Sequence, residues 1–119
     1  MVLILGLHLM GIYFYLYWTV SWFDILLHFL GGLSLGVFFI WLFGLRERSY
    51  KTLFLVVLFI VIIGVGWEIF EYINNIAKST EEYVPDTILD LVMDTAGAVV
   101  AYYLSTNHLA EPLGGETAK

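Results

Sequence analysis

The sequence predicts an all-α fold: a polytopic membrane protein built as a four-transmembrane-helix bundle. Three observations carry that prediction. Apolar residues make up 61% of the 119 positions and charged residues only 13%. Mean hydropathy is +0.87, outside the range of soluble domains, which need far more charged surface. The apolar residues also fall into four stretches, each near the ~20 residues that a helix needs to cross hydrocarbon. A chain of this length holds one domain.

The first stretch, residues 2–20, opens without a basic segment and runs on without an A-x-A-like site. It is therefore expected to be a retained membrane helix rather than a cleaved signal peptide. The second, residues 22–43, follows so closely that the pair should form a tight helical hairpin. The third covers residues 52–76, after a loop carrying Arg46, Arg48 and Lys51, and the fourth covers residues 86–103. Pro85 suits the opening of that last helix, and Asp86 its positive N-terminal end. Asn74 and Asn75 should cap the third helix. Gly32-x-x-x-Gly36, Gly64, Gly66, Gly97 and Ala101 should let helix backbones approach closely. Residues 1–106 are expected to form one transmembrane domain and residues 107–119 a short cytoplasmic tail.

Basic residues set the expected orientation. Arg46, Arg48 and Lys51 crowd the middle loop, whereas the last loop has Lys78 against Glu81 and Glu82. The positive-inside rule then puts the middle loop and both termini in the cytoplasm, with the chain in the plasma (inner) membrane. Tyr13, Tyr15, Tyr17, Trp18 and Trp22 read as interfacial anchors at the outer surface, with Trp41 and Tyr50 at the inner one. A net charge of −6 argues against a nucleic-acid partner, which would need basic patches. The lipid bilayer is the expected surrounding, and an oligomer or a partner subunit stays open. With no cysteine, disulfides and thiolate metal sites are excluded.

What makes the chain unusual is where its acids lie. Asp86, Asp90 and Asp94 recur every four residues, which stacks them on one face of the fourth helix. The second helix carries Asp24 and His28 at the same spacing, and the third carries Glu68 and Glu71. In the expected topology all lie toward the outer end of their helices. At ~1.5 Å per residue, His28, Glu68 and Asp94 should share one depth, with Asp24, Glu71 and Asp90 in a ring nearer the surface. Each ionised carboxylate inside the membrane costs ~2.5–3.5 kcal/mol. No Lys or Arg in those helices can offset it, so protons, metal ions or water must.

Metal is the reading we favour over a proton or cation relay and over a hydrated, protonated cluster. Carboxylates with one imidazole suit divalent Mg, Mn, Ca or Fe better than Zn, and facing helices of a bundle can build such sites. The expected ligands are His28, Glu68, Asp90 and Asp94, with Glu71 or Asp24 as general base. His28, one turn from Asp24, is either a ligand oriented by that carboxylate or the reverse. Asp86 reads as a first-turn residue, and His8 as lying too far toward the cytoplasmic end to reach the site. Trp67 either seals the pocket or simply packs.

The motifs L-L-H-F-L-G-G at Leu26 to Gly32, G-W-E-I-F-E-Y at Gly66 to Tyr72 and P-D-T…D…D-T-A-G ending at Gly97 resemble the VanZ-like superfamily, most closely its YjdF-like small membrane proteins. The resemblance covers the second to fourth helices. It implies a helical membrane fold with Glu68, Asp90 and Asp94 in recurrent positions, and it hints at envelope-lipid or cell-wall chemistry. Asp94 stands where VanZ-type members tend to carry Asn, and Glu71 is additional. The expected function is a metal-dependent membrane enzyme, a hydrolase or transferase acting on a lipid-linked or phosphate-bearing substrate at the outer leaflet. Proton or cation translocation and a metal-stapled accessory subunit are the alternatives.

Overall fold

The computed structural model describes residues 2–20, 22–45, 47–74 and 83–108. Their elements are all helical: α1 (Val2–Tyr13), α2 (Leu16–Thr19), α3 (Phe23–Phe43), α4 (Tyr50–Ile73) and α5 (Tyr83–His108). Three of them, α3, α4 and α5, are long and apolar enough to cross a membrane. Arg46, Asn75, Lys78, Glu81, Glu82 and residues 109–119 lie outside the described residues.

The first apolar stretch departs from the expected single span. Tyr15 adopts a left-handed backbone, φ 57°, which breaks the helix into α1 and the four-residue α2. The 12 residues of α1 cover only ~18 Å of the ~30 Å hydrocarbon. The described residues therefore give three spanning helices and one short apolar helix. Bringing both termini to one side of the membrane would need α1 to cross as well.

The α3–α4 turn is fixed locally. Gly44, at φ 60°, closes α3 by donating to Trp41 O at 3.3 Å, while Leu45 N donates to Ile40 O at 3.0 Å. Together these are the paired terminal bonds of a Schellman motif. Ser49 then caps α4, its Oγ accepting from Thr52 N at 3.2 Å. Tyr102 OH on α5 reaches back to Ser49 O at 3.2 Å, and the Arg48 guanidinium lies 5.1 Å from the Tyr103 ring centre. Asn74 closes the far end of α4, Nδ2 donating to Phe70 O at 2.7 Å.

The closest seam joins α3 and α5. A Cβ on Gly32 would collide with the Asp94 backbone, and one on Gly97 with Phe29 O and Leu33 N. Gly36 faces Ala101 and Ala98 in the same way, so the small residues act where the sequence places them. Gly66 does not: nothing lies within 4 Å of its would-be Cβ, because it is on the outward face of α4. Below the seam, toward the α3–α4 turn, Ile40, Val56, Ile60, Ala98 and Tyr102 form the buried apolar core. Phe39 stacks on Phe59 beside it, with ring centres 4.2 Å apart. The polar side chains gather at the opposite end.

Candidate metal centre

The tight α3–α5 seam sets the site. Asp24 and His28 are one turn apart on α3, and Asp90 and Asp94 one turn apart on α5, so two short rows of polar groups meet across the seam. His28 Nε2 stands 3.7 Å from Asp24 Oδ1 and 3.9 Å from Asp90 Oδ2. Its other nitrogen, Nδ1, stands 3.4 Å from Asp94 Oδ2. One ligand atom each from Asp24, His28 and Asp90 all fall within 4.8 Å of one another. Oxygen and nitrogen atoms bound ~2.0–2.5 Å from one ion stand roughly 3–5 Å apart, cis to trans, so the spacing fits a shared cation. Asp94 on the second ring nitrogen is the arrangement that fixes the tautomer of a metal-bound imidazole.

Burial sharpens the electrostatics. Asp90 is 3% exposed and Asp94 7%, and Asp90 Oδ1 is buried without a hydrogen-bond partner among the described residues. A buried carboxylate oxygen with nothing donating to it carries a large desolvation cost. The described Lys and Arg residues cannot offset it. Arg48 precedes α4 and Lys51 lies in its first turn, at the other end of the bundle.

Glu68 lies one turn from its expected level. It is buried and accepts a hydrogen bond from Thr87 Oγ1 at 2.7 Å, while Gly64, one turn earlier on α4, is what faces Asp94. A Cβ on Gly64 would be 2.7 Å from Asp94 Oδ2, so the missing side chain makes room for that carboxylate. Rise along each helix fixes depth within that helix and leaves the slide between α4 and α5 open. Glu71 accepts from Trp67 Nε1 at 2.9 Å. Asp86 sits in the first turn of α5, as expected.

Beside the site lies a cavity of about 290 Å³ between α1, α3 and α4, with Asp24, His28, Asp94 and Glu71 in its wall. His8 is there too, contrary to the expectation that it misses the site. The break at Tyr15 shortens α1 and tucks it against α3, with Gly11 abutting Phe23 and Tyr17. His8, about one turn beyond Gly11, thereby comes level with the site. His8 Nδ1 and Tyr17 OH share a hydrogen bond at 2.5 Å, and the His8 ring meets Trp67 edge-on, centres 5.5 Å apart. Tyr17 is thus turned into the cavity, unlike Tyr13, Tyr15, Trp18 and Trp22, which are exposed as interfacial anchors should be.

Sequence reasoning missed His8, Tyr17 and Thr87. The nine-residue separation of His8 and Tyr17 has no meaning on a continuous helix and becomes a contact only once the chain doubles back. Thr87 had one visible signal, its place one turn before Asp90 on the acidic face.

No curated protein and no solved structure matches this chain. The model of the family described as "Predicted membrane protein (DUF2238)" matches residues 1–111, nearly the whole sequence, and so the chain belongs to that family of membrane proteins.

Proposed function

We propose that this membrane protein holds a divalent metal ion on Asp24, His28 Nε2 and Asp90, and acts through it as an enzyme on a lipid-linked or phosphate-bearing substrate. The observation that carries the reading is the division of the imidazole. One nitrogen faces two carboxylates at 3.7 and 3.9 Å, and the other faces Asp94 at 3.4 Å. An oxygen-rich set with a single imidazole favours Mg, Mn, Ca or Fe over Zn. The metal would polarise a phosphoryl oxygen or activate a water. Glu71, in the cavity wall, is the candidate general base. Glu68, bound to Thr87, stands as a supporting carboxylate rather than a ligand. The resemblance to VanZ-like proteins supports a substrate from the cell envelope, with the site toward the outer face of the plasma membrane.

Metal analysis of detergent-purified protein tests this, with Asp90→Asn and His28→Gln beside the wild type. Near-stoichiometric divalent metal in the wild type, lost in both variants that still purify as folded helical protein, is the expected result. Wild-type protein free of divalent metal, also after incubation with Mn²⁺ or Mg²⁺, overturns the reading. Proton flux in vesicles made with such metal-free protein would favour a relay. Bound metal without turnover of any phosphorylated lipid would favour a structural staple.

A further inference from the structure

The cavity beside the metal-capable site is graded along its length. Along α3 its wall runs from Asp24 through Leu27, His28 and Gly31 to Leu35, and along α4 from Glu71 through Trp67 and Gly64 to Ile60. Each path is eleven helical steps, ~16 Å of helix. Polar groups therefore occupy one end and the middle, and aliphatic side chains close the other end. On α2 and α1 the same order holds, with Tyr17 and His8 toward the polar end and Ile4 and Leu5 beyond them. α1 packs on α3 but its backbone does not approach α4. The rings of His8 and Trp67 bridge the gap between α1 and α4.

We infer that this cavity takes one hydrocarbon chain of a lipid phosphate, tail between α1 and α4 toward Leu35 and Ile60, phosphate at the end lined by Asp24 and His28. The assignment rests on the metal reading above, because carboxylates repel a phosphate unless a divalent cation stands between them. Tyr17 and His8 supply neutral hydrogen-bonding groups opposite α3, suited to further phosphate oxygens. Size limits the tail. About 290 Å³ lies just below the usual range of ligand sites, ~300–1,000 Å³, and at ~30 Å³ per water-sized group it holds about ten such groups, phosphate and tail together. Two acyl chains do not fit, so a single-chain phosphate is favoured over a diacyl phospholipid. Trp67 and His8 would separate to admit the tail from the membrane side.

The test is photolabelling of the purified, metal-loaded full chain with decyl phosphate bearing a diazirine near its tail end, adducts being mapped by mass spectrometry. Adducts concentrated on Leu35, Ile60 and Ile63 are expected. They should be competed by unlabelled decyl phosphate at a concentration at least ~10-fold below hexyl phosphate, since each buried methylene contributes up to ~4-fold and detergent takes part of that gain. Inorganic phosphate should compete far more weakly, and EDTA should abolish the labelling. Gly31→Leu should reduce labelling while keeping bound metal, because a Cβ there meets nothing closer than Asp94 Oδ1 at 3.9 Å. If that variant fails to fold, the wild-type competition series decides alone. Adducts spread over bilayer-facing Trp41 and Phe54 in a protein that holds its metal overturn the chain assignment and leave the metal reading intact. Competition by inorganic phosphate equal to decyl phosphate overturns it too, in favour of a free phosphate. Saturable labelling of the cavity, indifferent to EDTA in a protein without bound metal, overturns the phosphate assignment together with the metal.

Discussion

Replacing Gly97 by alanine adds one methyl group at the α3–α5 seam, and the outcome follows from what that methyl meets. A Cβ at Gly97 would press on Phe29 O and come within 2.6 Å of Leu33 N. Both are backbone atoms of a helix and cannot rotate away. Restoring ordinary ~3.5 Å spacing requires the helices to part by about 1 Å over the contact. Such overpacking costs typically ~1–3 kcal/mol, against at most ~1 kcal/mol that alanine gains over glycine within a helix. Gly66→Ala is the matched control, with the same chemistry on a neighbouring helix and open space around the would-be Cβ. It should leave stability unchanged or raise it by up to ~1 kcal/mol. Unfolding in mixed micelles, followed by circular dichroism, reads both variants. Because the seam carries His28 on one side and Asp90 on the other, Gly97→Ala should also lower bound metal, while Gly66→Ala should not. A Gly97→Ala protein as stable as wild type, with full metal content, would refute the proposed seam and its coupling to the site.

Other substitutions probe single contacts. Asp94→Asn keeps the side-chain volume but removes the carboxylate from His28 Nδ1, and should weaken metal binding by roughly 10–100-fold in a metal-buffer titration. Thr87→Val removes the donor to the buried Glu68 carboxylate and should cost ~1–3 kcal/mol in the same unfolding assay. Ser49→Ala removes the α4 cap and should cost ~0.5–2 kcal/mol with metal content unchanged, since it lies at the far end of the bundle. Gly64→Ala would set a methyl 2.7 Å from Asp94 Oδ2. It should disturb the Nδ1 side of His28 and lower metal affinity more than Gly66→Ala does.

Hydropathy alone determined that the chain is helical and belongs in a membrane, and spacing alone determined which side chains share a face. Asp24 with His28, and Asp90 with Asp94, are paired by helical periodicity, a local property written into any i, i+4 repeat. The small residues at 32, 36, 97 and 101 likewise announced a close crossing, since nothing else in lipid rewards such side chains as well. Tertiary structure decided what depends on two elements at once. The register between α4 and α5 sets Gly64, not Glu68, against Asp94, because only an absent side chain leaves space for that carboxylate. The left-handed turn at Tyr15 divides the first apolar stretch and carries His8 and Tyr17 to the cavity, although hydropathy reads residues 2–20 as unbroken. Which nitrogen of His28 faces which aspartate is likewise a matter of packing across the seam. Periodicity fixes angles about one helix axis. The sliding of one helix along another, and the folding back of a chain, are fixed by which surfaces fit when they meet.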